Sequence, residues 1–390
     1  MKQPETAYWV SAMLGAKKGV SDLNITVGKS LQVEINGALT PVKVEPPVEK
    51  LTPFQTEVFA LNLINGNQRL LGDLVRTGSC DLSYVLGEGA RFRVNVFTQK
   101  GCYSSVLRKL ETKIPSIEDF GFPKCFYDMA EERNGLILFT GGTGTGKTTS
   151  LASILNQINL TRSVHLVTLE DPIEYVHPHK KATFNQREQG DDFDTFASGL
   201  RAALRQAPKV ILVGEIRDRE TLEIALTAAE TGHVVFSSLH TIDAGQTLNR
   251  IVGMFEHDEQ EQIRVRLADT IRWVVSQRLL PKVGGGRVAA QEILHSSLRV
   301  TDILLNGEDV AEEKTFYNVI EEGATLDMKT FDQDLLDLFK RGLIDEKAAM
   351  TYCTNKSVIK RGMDTIKAER GESTTSISGL AMEQGGDDDE

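Results

Sequence analysis

Three features are missing from this 390-residue sequence. It has no run of eighteen apolar residues, so no membrane-spanning helix is expected. The opening stretch MKQPETAYWVSAML carries an acidic residue and no long apolar segment with a small-residue cleavage site, so a secretory signal is not expected. The cysteines include no C-x-x-C pair, which predicts neither a zinc site nor a disulfide framework but reduced, mostly buried thiols. These absences favour a cytoplasmic protein.

An excess of basic residues is also lacking. Lysine and arginine total 44 against 55 aspartates and glutamates, giving a net charge of −11. Because dedicated nucleic-acid binders need a basic face, this balance argues against such a function, although it permits a local basic groove. The length allows two domains, each with its own core.

Hydrophobic periodicity indicates two regions. In ARFRVNVFTQKGCYSSVLRKL (90–110), apolar residues at every second position predict two strands joined at Gln-Lys-Gly. The prolines and charges of residues 111–123 indicate a linker. From Gly135 onward, short apolar runs alternate with amphipathic helices, which predicts an α/β fold with a mainly parallel sheet. The runs are LILF (136–139), VHLVTLE (164–170), KVILVGE (209–215) and HVVFSSLH (233–240).

The C-terminal part of the sequence has a different pattern. After about residue 290 it predicts short helices, one of them in TFDQDLLDLFKRGLIDEKAAM (330–350). The final stretch GESTTSISGLAMEQGGDDDE is small, polar and finally acidic. This composition predicts a disordered tail.

A phosphate-binding pattern stands between a predicted strand and a predicted helix. GGTGTGKT (141–148) fits G-x-x-x-x-G-K-[ST], in which glycines let backbone N–H groups surround an anion at a helix N-terminus. Lys147 is expected to reach the β- and γ-phosphates, and the Thr148 hydroxyl to hold Mg²⁺. A Gly-rich surface loop is the alternative. The predicted ATP-binding residues are Gly142, Thr143, Gly144, Thr145, Gly146, Lys147, Thr148 and Thr149.

Acidic residues follow two of the predicted strands. TLEDPIEYVH (168–177) carries Glu170, Asp171 and Glu174 at the carboxyl edge of the sheet, where ligands of parallel sheets bind. A carboxylate there can activate or orient the water that attacks the γ-phosphate, although such acids are also common as solvated charges. Glu215 follows Gly214 after the next strand and could reach Mg²⁺ through a water. The glycine would admit backbone or water where a side chain would not fit.

Taken together, these segments resemble the secretion and type IV pilus ATPase superfamily, and within it the PilT/PilU-type twitching-motility retraction ATPases. The resemblance covers about residues 15–350. It rests on GGTGTGKTTSLASI (141–154), TLEDPIEYVH (168–177), NQREQG (185–190), LRAALRQAPKVILVGEIRDRETLEIALTAAETGH (200–233), SLHTIDAGQTLNRIVGMF (238–255) and SQRLLPKVGGGRVAAQEIL (276–294).

The resemblance implies roles for individual residues. Glu174 matches the catalytic base of the family's Asp box, and Glu215 matches an atypical Walker B glutamate. ETGH matches the His box, which makes His233 a catalytic candidate, whereas a strand-end histidine alone is more often structural. Arg93 in RFRVN and Arg108 in VLRKL match arginines that complete the site, although each could also be a solvated surface residue.

The resemblance also implies an architecture and partners. It predicts a PAS-like α+β N-terminal domain (1–112), a RecA-like P-loop domain with C-terminal helices (113–360) and an acidic tail (361–390). Family members form homohexamers that hydrolyse ATP with Mg²⁺ and act on an inner-membrane pilus platform protein, so a peripheral location at that membrane is expected.

Three functions remain open from the sequence. The missing C-x-x-C motifs favour the retraction branch over the export-side relatives. SSLRVTDILLNGED (296–309) departs from the retraction pattern, and LRQAP and MKTFDQDLLDLF (328–339) are closer to the accessory paralogue PilU. A ring subunit that assists a paralogous retraction ATPase is therefore the first alternative. A nucleic-acid translocase is the second, because RecA-like domains also serve that role.

Overall fold

The computed structural model describes residues 3–35, 37–87, 89–110 and 113–372. The chain divides into two units, one formed by Met1–Glu131 and Ser150–Glu215, the other by Glu132–Thr149 and Ile216–Glu390. This division does not coincide with a boundary after residue 112. The domain limits 1–112 and 113–360 therefore stay predictions.

The first unit opens with an antiparallel sheet in the strand order β3-β2-β1-β6-β5-β4. The strands are β1 (Val20–Ile25), β2 (Gln32–Ile35), β3 (Ala38–Pro41), β4 (Ser79–Leu86), β5 (Ala90–Gln99) and β6 (Cys102–Lys109). On β5, Phe92, Val94 and Val96 are buried, and the predicted hairpin with β6 is confirmed. Since side chains alternate across a strand, Arg91 and Arg93 lie on the opposite face.

Helices cover the core face of this sheet. They are α1 (Gln3–Gly15), α2 (Pro53–Ile64) and α3 (Gln68–Thr77). The ring of Trp9 stacks on Phe59 with centroids 6.0 Å apart, and both side chains are buried. The short helix α4 (Ile117–Phe120) lies in the segment 111–123 that was expected to be a linker, and α5 (Cys125–Glu131) follows that segment.

The rest of the first unit contains parallel strands in the order β10-β8-β9. Their bounds are β8 (His165–Glu170), β9 (Thr183–Glu188) and β10 (Val210–Val213), with helix α7 (Phe196–Leu204) between β9 and β10. Strands β8 and β10 confirm two predicted apolar runs. No strand was predicted at β9, because TFNQRE is mostly polar.

The second unit contains a sheet in the order β13-β12-β7-β11. Its strands are β7 (Gly135–Thr140), β11 (Val234–Leu239), β12 (Ile271–Pro281) and β13 (Arg287–His295). Strand β7 is parallel to β11 and β12, whereas β12 and β13 form an antiparallel hairpin. The predicted parallel α/β core is confirmed in both units, and the hairpin adds an antiparallel edge to it.

The helices between and after these strands complete the fold. Helix α6 (Lys147–Thr161) begins directly after the phosphate loop. The later ones are α8 (Arg219–Glu230), α9 (Ala244–Val252), α10 (Gln260–Thr270), α11 (Leu298–Asn306), α12 (Phe316–Glu321), α13 (Phe331–Lys340), α14 (Glu346–Tyr352) and α15 (Lys356–Glu369). The C-terminal helices were predicted, but the start of the tail was placed too early, because residues 361–369 belong to α15. The tail from residue 373 lies outside the described residues.

Candidate active site

The phosphate loop connects β7 to α6. Lys147 is the first residue of α6, so its side chain stands where the helix N-terminus meets the loop. Its ammonium Nζ donates to the carbonyl oxygens of Gly141 at 2.8 Å and Gly142 at 2.9 Å. Gly142, Thr143 and Gly144 are exposed. The predicted ATP-binding residues are therefore contiguous, and the exposed backbone is accessible to an anion.

Gly141 has to be a glycine for a steric reason. Its φ is 140°, and an added Cβ would stand 2.5 Å from the carbonyl oxygen of Gln277 and 2.7 Å from Oγ1 of Thr145. Strand β12 thus supports the start of the phosphate loop through main-chain contact. One residue before Gly141, the Thr140 hydroxyl donates to Oγ of Ser276 at 2.9 Å, and both side chains are buried.

Glu170 ends β8 as a buried carboxyl group. Burial, with a smaller contribution from the nearby Glu174 and Glu188 carboxylates, raises its pKa to about 7. Two hydrogen bonds act in the other direction, one from the Thr168 hydroxyl at 2.6 Å and one from Gln186 Nε2 at 3.0 Å, both to Oε1. Near neutral pH this carboxyl group is therefore poised between its charged and neutral forms.

Two side chains of β9 hold the segment 171–177, which we call the acidic loop. Nε2 of Gln186 also donates to the Tyr175 carbonyl oxygen at 2.8 Å, and its Oε1 accepts from the His177 N–H at 2.7 Å. The Glu188 carboxylate accepts from the Ile173 N–H at 3.0 Å. The backbone on both sides of Glu174 is thus fixed, while the Glu174 side chain is half-buried. This arrangement fits a carboxylate that must hold one position.

His177 closes the acidic loop as a buried, neutral side chain. Its ring stacks on Phe184 of β9 with centroids 4.4 Å apart. Burial, with a smaller contribution from the positive charge of Lys180, lowers its pKa to about 4. The ring therefore contributes packing to this loop rather than charge.

Glu215 lies two residues beyond Val213, the last residue of β10. Val213 pairs with Leu169, and the Gly214 N–H donates to the Leu169 carbonyl oxygen at 2.8 Å. An added Cβ at Gly214 would stand 3.1 Å from that oxygen. The glycine thus admits the backbone of β8, one of the two options that its position suggested. The half-buried Glu215 and the acidic loop share this edge of the first unit.

His233 is placed away from the phosphate loop. Strands β7 and β11 are parallel, with Val234 opposite Gly135 and Leu239 opposite Thr140. His233 precedes β11, so it lies about 20 Å from the loop end of the strand at roughly 3.3 Å per residue. Its Nδ1 is 2.9 Å from the Ala228 carbonyl oxygen. Within one chain the register puts His233 at the amino end of the sheet, whereas His240 follows the other end. The catalytic role of His233 stays a prediction.

The two candidate arginines are neighbours on one face of the N-terminal sheet. Arg93 pairs directly with Arg108, and Arg108 pairs with Asp22 on β1. Nε of Arg108 lies 2.9 Å from Oδ1 of Asp22, and the Arg93 side chain is exposed. The arginine that contacts the acidic loop is Arg91, which the sequence analysis did not single out. Its Nη1 donates to the Ile173 carbonyl oxygen at 3.1 Å.

The supporting side chains that the sequence did not indicate share one property, which is that they act on a loop distant in sequence. Gln186, Glu188 and Arg91 hold the acidic loop, and Gln277 adjoins the phosphate loop. Gln277 is 2% exposed, and among the described residues its Oε1 has no hydrogen-bond partner. The motifs NQREQG, RFRVN and SQRLL were visible, but only as parts of a resemblance.

Thr148 and Glu215 are the candidate Mg²⁺ ligands. Within the described ranges, no three His, Cys, Asp or Glu side chains cluster as a ready cation site. Mg²⁺ usually binds one or two protein oxygens together with substrate phosphates, so an all-protein cluster is not required. The Thr148 hydroxyl and the Glu215 carboxylate are hard oxygen donors that fit Mg²⁺.

Comparison with known proteins identifies the family. Residues 80–307 match the family model described as Type II/IV secretion system protein. The chain is 39% identical to the type IV pilus retraction ATPase PilT of Pseudomonas aeruginosa, over 86% of this chain and 94% of that protein. The chain belongs to the type II/IV secretion system protein family. The RecA-like fold with a smaller N-terminal domain, implied by the resemblance, is thereby confirmed.

Two further comparisons cover nearly the whole chain. The type IV pilus ATPase PilU of Pseudomonas aeruginosa is 36% identical over 96% of both chains. A crystal structure described as the pilus retraction motor PilT with bound ADP superposes with a TM-score of 0.80 at 39% identity, covering 91% of this chain and 98% of that one. The described residues contain no helix long and apolar enough to span a bilayer.

Proposed function

We propose that this protein is an ATP-hydrolysing, homohexameric motor that powers type IV pilus retraction. The observation that carries the proposal is the structural similarity to the PilT retraction motor, which extends over 91% of this chain. The crystal structure of that motor contains bound ADP. The intact phosphate loop and the braced acidic loop supply the parts that ATP hydrolysis needs.

The acidic loop supplies the group that activates water. In this proposal Glu174 accepts the proton of the attacking water, or orients that water, beside the γ-phosphate. A general base must stay within hydrogen-bond reach of its proton, and the contacts of Gln186 and Glu188 on either side of Glu174 favour this. The buried Glu170, with its pKa raised to about 7, limits the negative charge that accumulates around Glu174.

The phosphate loop and the arginines bind and neutralise the triphosphate. Lys147 and the loop N–H groups hold the phosphates, and Thr148, with Glu215 through a water, would hold Mg²⁺. When bound, Mg²⁺ supplies neutralisation of the charge that develops on the phosphate oxygens. Arg93 and Arg108 stand as candidates for the guanidinium that stabilises the γ-phosphate, which requires Arg108 to leave Asp22.

The partners follow from the proposed activity. A ring of six subunits would act on an inner-membrane pilus platform protein, which places the motor at the cytoplasmic face of that membrane. No nucleic acid is expected as a partner, given the net charge of −11. A second candidate is an accessory ring subunit that assists a paralogous retraction ATPase. The PilU relative favours it, because that similarity covers 96% of this chain against 86% for PilT.

Two measurements test the proposal. The ATP hydrolysis rate per subunit is expected to rise steeply with protein concentration and then to plateau, because the site is completed only in an assembled ring. Glu174→Gln should lower the plateau rate on the order of 10²- to 10⁴-fold while ATP binding persists. The exposed Glu57→Gln serves as the matched control.

Each outcome separates the candidates. A low, flat rate with tight ATP binding, restored when a paralogous motor is added, would favour the accessory subunit. Full turnover of Glu174→Gln would remove Glu174 from its role as the base. Sizing the same samples distinguishes a high, flat rate of a preassembled ring from that of a self-sufficient subunit.

A further inference from the structure

Arg91 extends from the N-terminal sheet to the acidic loop within the first unit. It lies near the start of β5, on the face opposite the buried Phe92. Its Nη1 donates to the carbonyl oxygen of Ile173 at 3.1 Å, and its Nη2 is 3.8 Å from Oε2 of Glu188. The side chains of Arg91 and Glu188 are only 18% and 10% exposed. Because both side chains are largely removed from solvent, this ion pair is screened less than an exposed surface ion pair.

The Arg91–Glu188 pair fixes both main-chain polar groups of Ile173. Glu188 accepts the Ile173 N–H at 3.0 Å, and Arg91 donates to the Ile173 carbonyl. Ile173 immediately precedes Glu174, so the peptide unit that carries Glu174 has one of its ends held by Arg91. A guanidinium can serve a carbonyl and a carboxylate at once through different N–H groups, which a single ammonium group cannot reproduce with the same geometry.

A second set of contacts joins N-terminal helix α3 to the turn after β9. Nε of Arg69 donates to the carbonyl oxygen of Gly190 at 3.0 Å, and Nδ2 of Asn67 donates to Oδ1 of Asp191 at 3.3 Å. An added Cβ at Gly190 would stand 2.3 Å from Arg69 Nη2. The N-terminal elements therefore contact β9 at its end as well as through Glu188. Displacement of the N-terminal sheet would be transmitted to the strand that braces the acidic loop.

We propose that Arg91 is a positioning residue that couples the N-terminal sheet to Glu174 through the main chain of Ile173. When Arg91 withdraws, the Ile173 carbonyl loses its donor and Glu188 loses its cation, so Glu174 is no longer held. Arg91 acts on the protein backbone, which distinguishes it from the arginines assigned to the γ-phosphate. This inference rests on the proposed role of Glu174.

The test compares Arg91→Ala, Arg91→Lys and the exposed control Arg76→Ala in the full-length protein. Hydrogen–deuterium exchange without nucleotide is expected to rise in peptides covering residues 171–177 for Arg91→Ala, because the Ile173 N–H loses protection. The kcat for ATP hydrolysis should fall by about tenfold to a hundredfold, the range expected when a catalytic group is misplaced by about 1 Å. The Kd for ATP should be unchanged.

The Arg91→Lys variant keeps the test informative if Arg91→Ala fails to fold. Arg91→Lys retains a positive charge near Glu188, so we expect an intermediate exchange rate and partial recovery of kcat. Arg76→Ala should match the wild type in both measurements, since the Arg76 side chain is 76% exposed and its ion pair is with Asp73 in its own helix. The melting temperature of each variant is recorded alongside.

Two outcomes would overturn the proposal. Unchanged exchange across residues 171–177 would mean that Arg91 does not hold the acidic loop. Raised exchange with unchanged kcat would mean that the position of the loop does not govern hydrolysis. The role of Glu174 is judged separately by Glu174→Gln, and its failure would remove the catalytic consequence while the exchange result still decides whether Arg91 holds the loop.

Discussion

The phosphate loop and the acidic loop are stabilised in different ways. The phosphate loop is held mainly by main-chain atoms, since Lys147 bonds to carbonyl oxygens of its own loop and Gly141 contacts the carbonyl oxygen of Gln277. The acidic loop is held by side chains from another strand and from the N-terminal sheet. A loop built on main-chain atoms depends on glycines, whereas a loop built on carboxylates and an arginine also responds to pH and to movement of its neighbours.

This difference suits two separate tasks. Binding a triphosphate needs a fixed ring of N–H groups in every state of the enzyme. Activating water needs a carboxylate that is in place only when the rest of the site is assembled. Contacts such as that of Arg91 with Ile173 allow the second task to be controlled by a distant element.

The largest effect is expected from Lys147→Ala, which tests the phosphate loop alone. Removing the ammonium group deletes the cation for the β- and γ-phosphates, so ATP binding and hydrolysis should both fall by at least 10²-fold. ATP affinity by equilibrium dialysis and steady-state hydrolysis check this. The exposed Lys360→Ala is the control. Unaltered ATP affinity in Lys147→Ala would break the comparison, because the two loops would then both act on catalysis alone.

A smaller but still severe effect is expected from Gly141→Ala. The new Cβ would stand 2.5 Å from the Gln277 carbonyl oxygen, so the loop must move or β12 must yield. We expect the free energy of unfolding to fall by roughly 1–3 kcal/mol and ATP affinity to drop with it. Urea unfolding and ATP titration measure the two.

Gly72→Ala is the matched control for that substitution. Gly72 lies within α3, its added Cβ meets nothing within 4 Å, and its φ is not positive. Alanine is favoured over glycine inside a helix, so this variant should be stabilised by about 0.5–1 kcal/mol. If both alanine variants bind ATP equally, the steric account of Gly141 is wrong.

The same contrast explains what the sequence could predict. The phosphate loop was recognisable because its residues are contiguous and its glycines are required by local backbone geometry. Strands β7, β8, β10 and β11 were recognisable because buried parallel strands are continuous apolar runs. The residues that determine each of these features lie within a short stretch of sequence.

The supports of the acidic loop were not predictable because they depend on strand pairing. Strand β9 is polar, since Gln186 and Glu188 are directed to the acidic loop rather than to a hydrophobic layer. The position of His233 was not predictable for the same kind of reason, because only the register of β11 against β7 shows which end of the strand meets the phosphate loop. Which of Arg91, Arg93 and Arg108 contacts the acidic loop was likewise visible only from the tertiary contacts.

The prediction that would sharpen the comparison most is the pH response of Glu170→Gln. Burial raises the pKa of Glu170 to about 7, so the native state binds a proton more tightly than the unfolded state, where the ordinary value is 4.5. Stability from this group is therefore complete below about pH 4.5 and is lost as the pH rises towards 7 and slightly beyond. The total loss is about 3 kcal/mol, because one pKa unit corresponds to about 1.4 kcal/mol.

Glutamine retains the Oε1 acceptor for Thr168 and Gln186 but carries no charge at any pH. We therefore expect Glu170→Gln to match the wild type near pH 5 and to be more stable near pH 8, with the difference growing between those values. Urea unfolding at several pH values measures it, with the exposed Glu57→Gln as the control. A constant difference for Glu170→Gln would mean that Glu170 does not titrate in this range. The edge of the first unit beside the acidic loop would then have no pH response from Glu170.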